Sequence, residues 1–154
     1  MPSFAPTTMA RSATSVSGAM RVCGLLAVAD VESQTALRVR SHSATAVSEN
    51  SANCRWLLDP SPNAVFLNVA APSPGIGLAD LFRASTQGIG GEPVPGLGES
   101  SWQGTGPDDG LVVVKGGYVL KLTVQGTGSG RTIRSRADDE RVARQLATRL
   151  LARM

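Results

Sequence analysis

Histidine, cysteine and aromatic side chains are scarce in this chain: one His, two Cys, three Phe, two Trp and one Tyr in 154 residues. That scarcity removes several kinds of chemistry at once. His42 is the only conventional base for a Ser-His-Asp arrangement, and it lies in a polar stretch, "SHSATAVSEN", that reads as solvated. The serines of "GESSW" lack the G-x-S-x-G frame of a nucleophile elbow. Two cysteines without a C-x-x-C, plus one histidine, supply too few ligands for a closed zinc site, so no metal is expected.

Long apolar runs are missing as well. None approaches the roughly 20 residues needed to span a membrane as a helix. The first residues, "MPSFAPTTMARSATSVSGAM", lack the apolar centre of a signal peptide. Their Ser, Thr, Ala and Pro content, with a single charge at Arg11, buries too little to order the segment. Residues 1–20 are expected to be a disordered lead, and 21–154 a single domain. Taken as written, such a chain stays in the cytosol.

Lysine is rare too, with two Lys against 13 Arg, and the net charge of +3 is uneven. Between Arg131 and Arg153 seven Arg and three acids give +4, leaving −1 for the rest. No aromatic residue is interleaved with these arginines for base stacking, and the acids Asp138, Asp139 and Glu140 intervene. The basic end reads as a solvated face, and no nucleic acid is expected as a partner.

Glycine is plentiful, and "VLKLTVQGTGSGRT" invites a nucleotide reading. A phosphate-binding P-loop needs G-x-x-x-x-G-K-[ST] with a helix beginning at the loop. Setting Gly130 as the second glycine puts Gln125 at the first and Arg131 at the lysine, and the next helix starts several residues later. The stretch is a connector. "GIGLAD" likewise fails the dinucleotide fingerprint, with Asp80 where the third glycine belongs. "PDDG", with Asp108 and Asp109, is a turn sequence before it is a cation site.

The remaining pattern predicts an α+β fold: an antiparallel sheet with helices packed on one face and a C-terminal amphipathic helix. A short first helix follows Ala27, a poor N-cap, with Val28, Val31 and Leu37 facing inward. Residues 41–52 read as a loop or an edge strand. "NCRWLLDPSPNAVFLNVA" reads as a hairpin turning at Asp-Pro-Ser-Pro-Asn. With Asp59 opposite Ala64, Leu58 faces Val65, Trp56 faces Leu67 and Cys54 faces Val69, all on one face. "GIGLADLFRAST" predicts a second helix presenting Ile76, Leu78, Leu81 and Phe82. A strand is expected around Trp102. In "LVVVKGGYVLKLTVQ", Gly116-Gly117 suits a two-residue turn that sets Val114 opposite Val119 and buries Leu111, Val113, Leu120, Leu122 and Val124. Lys121 and Thr123 fall on the wetter side. A last helix over about 136–152 has Ser135 as N-cap and Asp138 at N3, with Val142, Ala143, Leu146 and Leu150 on its apolar face.

Cys23 and Cys54 admit two readings, inert buried thiols or a structural disulfide. A bridge would close a loop of roughly 30 residues, worth about 3.5 kcal/mol in the chain-entropy model.

The order of landmarks adds to this. Cys23-Gly-Leu-Leu with Ala-Asp-Val-Glu, then Cys54-Arg-Trp56, Val94-Pro-Gly-Leu-Gly98 with Trp102, Lys115-Gly-Gly and a closing amphipathic helix resemble a family of actinobacterial secreted lipoproteins known only as a domain of unknown function. The resemblance runs over about residues 22–153. It implies a disulfide between Cys23 and Cys54 and an extracytoplasmic address, and it implies no reaction; no cofactor is expected. The chain departs from the pattern in lacking the export signal and the lipid-attachment cysteine. The expected function is a non-enzymatic, cell-envelope binding or sensing domain, presenting loops such as 88–110 to a protein or small-molecule ligand. The alternatives are an enzyme using loop carboxylates and a cytosolic interaction protein with both cysteines reduced.

Overall fold

A computed structural model describes residues 22–105, 109–125 and 136–154. The expected disordered lead, the 126–132 connector, Asp108 and the Ser135 cap lie outside these residues. A 3-10 turn, Cys23–Leu25, opens the described chain, followed by α1 (Val28–Thr35), β1 (Arg38–Ser48), β2 (Ser51–Asp59) and β3 (Ala64–Ala70). Then come α2 (Leu78–Thr86), β4 (Gly91–Glu92), β5 (Ser100–Gly104), β6 (Leu111–Lys115), β7 (Tyr118–Gln125) and α3 (Arg136–Leu151). The strands form one antiparallel sheet in the order β1-β2-β3-β7-β6-β5-β4.

This is the α+β architecture read from the sequence, and the β6–β7 hairpin has the expected register, Val114 opposite Val119 and Leu111 opposite Leu122. Both turn glycines hold positive φ, 59° at Gly116 and 85° at Gly117, which a two-residue primed turn requires. The side chain of Glu99 reinforces this turn by accepting a hydrogen bond from the Gly116 N–H at 3.0 Å.

The β2–β3 hairpin is displaced by two residues from expectation. Trp56 opposes Val65 and Cys54 opposes Leu67, because Leu58 rather than Asp59 donates the last ladder bond, to the Asn63 carbonyl at 3.0 Å. Asn63 leaves the turn and folds its own amide back onto the Pro60 carbonyl at 2.6 Å, with the residue buried. A shift of two preserves the face. Cys54, Trp56, Leu58, Val65 and Leu67 are therefore still buried together.

Their face is covered by α1 and α3. Val31 of α1 and Val142, Ala143, Leu146 and Leu150 of α3 join Leu111, Val113, Leu120, Leu122 and Val124 in the main core. Helices packed on one face thus hold for α1 and α3. By contrast, α2 lies on the opposite face, where Leu78, Leu81 and Phe82 pack with Trp102 on Val112, Val114 and Val119. The physical reason is that β6 is apolar on both sides and Val119 of β7 continues the outer apolar patch of Val112 and Val114, so that side needs a cover too. Thr123, expected on the wetter side, is buried. Two other expected inward residues are exposed: Val28 at the start of α1 and Ile76, which precedes α2.

The last helix uses its arginines to hold α1. Arg149 and Arg153 meet the two carboxylate oxygens of Asp30 at 3.0 and 2.9 Å, and Arg153 also donates to the Leu25 carbonyl at 3.2 Å. Arg141 pairs with Asp138, and Arg144 donates to Gln103 of β5. The expected solvated face is therefore partly an interhelix clamp. Exposed pairs of this kind contribute about 0.2–1 kcal/mol each, so α3 is held chiefly by its apolar face. Leu146 is fully buried, and Leu146→Ala is expected to lower stability by about 2–4 kcal/mol. Chemical denaturation measures this, and a loss below about 0.5 kcal/mol would mean that α3 is not part of the core.

Candidate functional site

Two constellations lie on opposite faces of the same strands, and both depend on β1. This segment, expected as a loop or an edge strand, is an edge strand in which the residues of 41–46 pair one to one with β2. Register shifts interrupt the ladder between Val39 and Ser41 and between Ala46 and Ser48. Each leaves one residue, Arg40 or Val47, without an opposite number, which is a β-bulge.

The first constellation is an open cleft of about 330 Å³ on the face away from α1 and α3. Its floor is two adjacent rows running across four strands. Ser43, Arg55, Phe66 and Thr123 are successive cross-strand partners in one row. Thr45, Asn53, Asn68 and Lys121 are successive partners in the other. All eight line the cleft. Two positive charges, two primary amides and three hydroxyls thus share one surface, and no carboxylate is among the described residues that line it. Arg55 and Lys121 stand on strands separated only by β3, roughly 10 Å apart laterally, close enough for two long side chains to reach one ligand. The Arg55 guanidinium lies 5.9 Å from the centre of the Phe66 ring, a cation–π contact that keeps it over the cleft floor.

The second constellation is on the core side. Cys23 and Cys54 are joined by a disulfide with Cα atoms 5.2 Å apart, tying the 3-10 turn to β2. Cys54 is fully buried and Cys23 is half-buried. His42, directly opposite Trp56 on β1, brings a ring nitrogen within 4.8 Å of both sulfurs while remaining exposed. The sequence placed His42 alone in a polar loop, and the structure places it beside the disulfide.

Of the loops 88–110 expected to present a ligand, the described residues 88–105 are tied to the rest of the fold. Ser101 Oγ both accepts from the Val94 N–H and donates to the Val94 carbonyl, Thr105 bonds Gly90 through backbone and side chain, and the Glu99 N–H donates to the Val114 carbonyl. Gly98, at φ +65°, lies so close to β6 that an added Cβ would stand 2.5 Å from Val113 and 2.7 Å from the Val114 carbonyl. Of the loop carboxylates, Glu99 holds the Gly116 turn and Glu92 is exposed. The cleft itself escaped sequence reasoning, although the wetter-side placement of Lys121 and Thr123 and the alternation of Ser43 and Thr45 were local signals of it.

No family model, curated protein or solved structure matches the chain. Among the described residues, no helix is long and apolar enough to cross a membrane.

The disulfide spans 31 residues. Replacing both cysteines by Ser is expected to cost about 2–5 kcal/mol, from the lost loop constraint and a hydroxyl introduced at the buried Cys54. Against reduced wild type the cost should shrink to the hydroxyl contribution. Denaturant titration of the three species measures both differences.

Proposed function

We propose that this protein is a non-enzymatic binding domain of the cell envelope whose open sheet face takes an anionic ligand. The observation that carries the reading is the pair of cross-strand rows, with Arg55 and Lys121 over hydroxyls and amides and no acid among the described lining residues. A charged ligand group would be fixed by charge-assisted hydrogen bonds from the two cations. Thr45, Asn53 and Asn68 supply the neutral donors and acceptors that orient the rest. Such a surface is built for recognition. Among the described residues that line it there is no carboxylate, imidazole or thiol, and binding without turnover is the function we read from it.

The extracytoplasmic address rests on the disulfide, since such bonds persist in oxidising compartments, together with the resemblance to secreted lipoproteins. The arginines of α3 that are spent on Asp30, Asp138 and Gln103 support a partner other than nucleic acid.

The test is a titration of the oxidised protein at low salt with inorganic phosphate and, separately, with citrate, followed by amide chemical shifts. Saturable shifts concentrated on the rows from Ser43 to Thr123 and from Thr45 to Lys121 are expected. Arg55→Gln and Lys121→Met should each weaken binding by roughly 10–100-fold, the loss expected for a hydrogen bond to a charged group. Both sites are on the surface, so thermal midpoints should stay near wild type. Shifts that scatter over the whole protein, or affinities that survive both substitutions, would sink the reading.

A further inference from the structure

We propose that reduction of the Cys23–Cys54 bond opens a Cys-His-Cys site, built from Cys23, His42 and Cys54, for one soft d10 cation, Zn(II) or Cu(I). This site is independent of the anion cleft and lies on the other side of β1 and β2. Among the described residues these three form the one cluster of at least three potential ligands close enough to hold an ion, with all ligand atoms within 4.8 Å of one another. Two thiolates and an imidazole are the donor set that soft d10 cations prefer. In a tetrahedral site with metal–sulfur distances of about 2.3 Å and metal–nitrogen distances of about 2.0 Å, ligand atoms stand roughly 3.6–3.8 Å apart. Opening the sulfurs and drawing in the ring therefore takes movements of about 1–2 Å. The half-buried Cys23 and the edge-strand His42 can make them while Cys54 stays fixed in the core.

His42 is there for a specific reason. Counting by twos from the core-facing Val39 puts His42 on the open face, and the unpaired Arg40 reverses that count. The bulge thus delivers the chain's single histidine to its only pair of cysteines. Three protein ligands leave a fourth position open for water or a small molecule on Zn(II), and they complete a trigonal set for Cu(I).

The opening step is thiol–disulfide exchange with a dithiol. One thiolate of the dithiol attacks the accessible Cys23 sulfur, forming a mixed disulfide and expelling Cys54 as a thiolate. The second thiol of the reductant then closes onto the first as its own disulfide, releasing Cys23. Two electrons pass from the dithiol to the protein, and metal binding replaces the protons on the two cysteines.

The experiment uses the full chain, reduced with a phosphine, desalted without oxygen and titrated with Zn(II) or Cu(I) in competition with a chromophoric chelator. Circular dichroism and Trp fluorescence are followed in parallel. One equivalent of at least one cation should bind the reduced protein and none should bind the disulfide form. His42→Ala should weaken binding at least 100-fold, and His42→Cys should restore it. Whichever cation binds more tightly identifies the ion. If reduction loosens the fold, the cation should raise the thermal midpoint of reduced wild type and leave reduced His42→Ala unchanged. Binding of neither cation, equal binding by His42→Ala, or binding with no effect on a loosened fold would overturn the proposal.

Discussion

The pairing of β3 with β7 makes one protein out of two meanders. Strands β1–β3 come from the first half of the chain and β4–β7 from the second, and each set is joined internally by neighbouring turns. The ladder from Ala64 opposite Gln125 to Ala70 opposite Val119 stitches them into a single sheet, and Val65 opposite Val124, Leu67 opposite Leu122 and Val69 opposite Leu120 are its core-facing pairs. Leu67 and Leu122 are both fully or nearly fully buried, so this seam runs through the centre of the main core. Such long-range pairing must offset the entropy of closing a long loop before it stabilises anything. The apolar partners on the seam supply that offset. The cleft depends on the same seam, because each of its rows crosses it, one from Phe66 to Thr123 and the other from Asn68 to Lys121.

The helices are fastened to this sheet by different physics. The last helix is held by buried aliphatic side chains, with its arginines acting outward on Asp30. The first helix buries little of its own length beyond Val31 and Thr35. It is positioned from both ends instead, by the disulfide behind it and by Glu32, whose carboxylate accepts the Val39 N–H of β1 at 2.8 Å. Among the described residues no disulfide or ion pair ties the middle helix to the sheet, and it rests on Val112, Val114 and Val119 through Leu78, Leu81 and Phe82.

These differences explain what could be read in advance. The β6–β7 register was legible because Gly116-Gly117 permits one tight turn and the flanking apolar residues agree with it. The closing helix was legible because a 3.6-residue apolar period and an acid-to-basic gradient reinforce each other. The side taken by α2 was not, since Val112 and Val114 continue an apolar run whose two faces are indistinguishable by alternation. Strand β1 was ambiguous because Ser, Ala and Thr occupy both of its sides. Nothing local to His42 announces the disulfide, and the pair of rows that floors the cleft exists only once four strands are in register. The sites were hidden because they are properties of pairing, and pairing is long-range.

The interruptions at Arg40 and Val47 give β1 an unusual logic. Between them, residues 41–46 run out of phase with both flanks of the strand, as if a short segment had been cut out, turned over and put back. Inside that window, identity and location are decoupled: Ser41, Ser43 and Thr45 look outward and His42, Ala44 and Ala46 look inward only because of the two extra residues. Losing Arg40 alone would leave every one of those side chains in the chain yet exchange their addresses, sending the imidazole to the cationic cleft and the hydroxyls to the sulfurs. For this strand, the spacing of residues carries the meaning that is usually looked for in their kind.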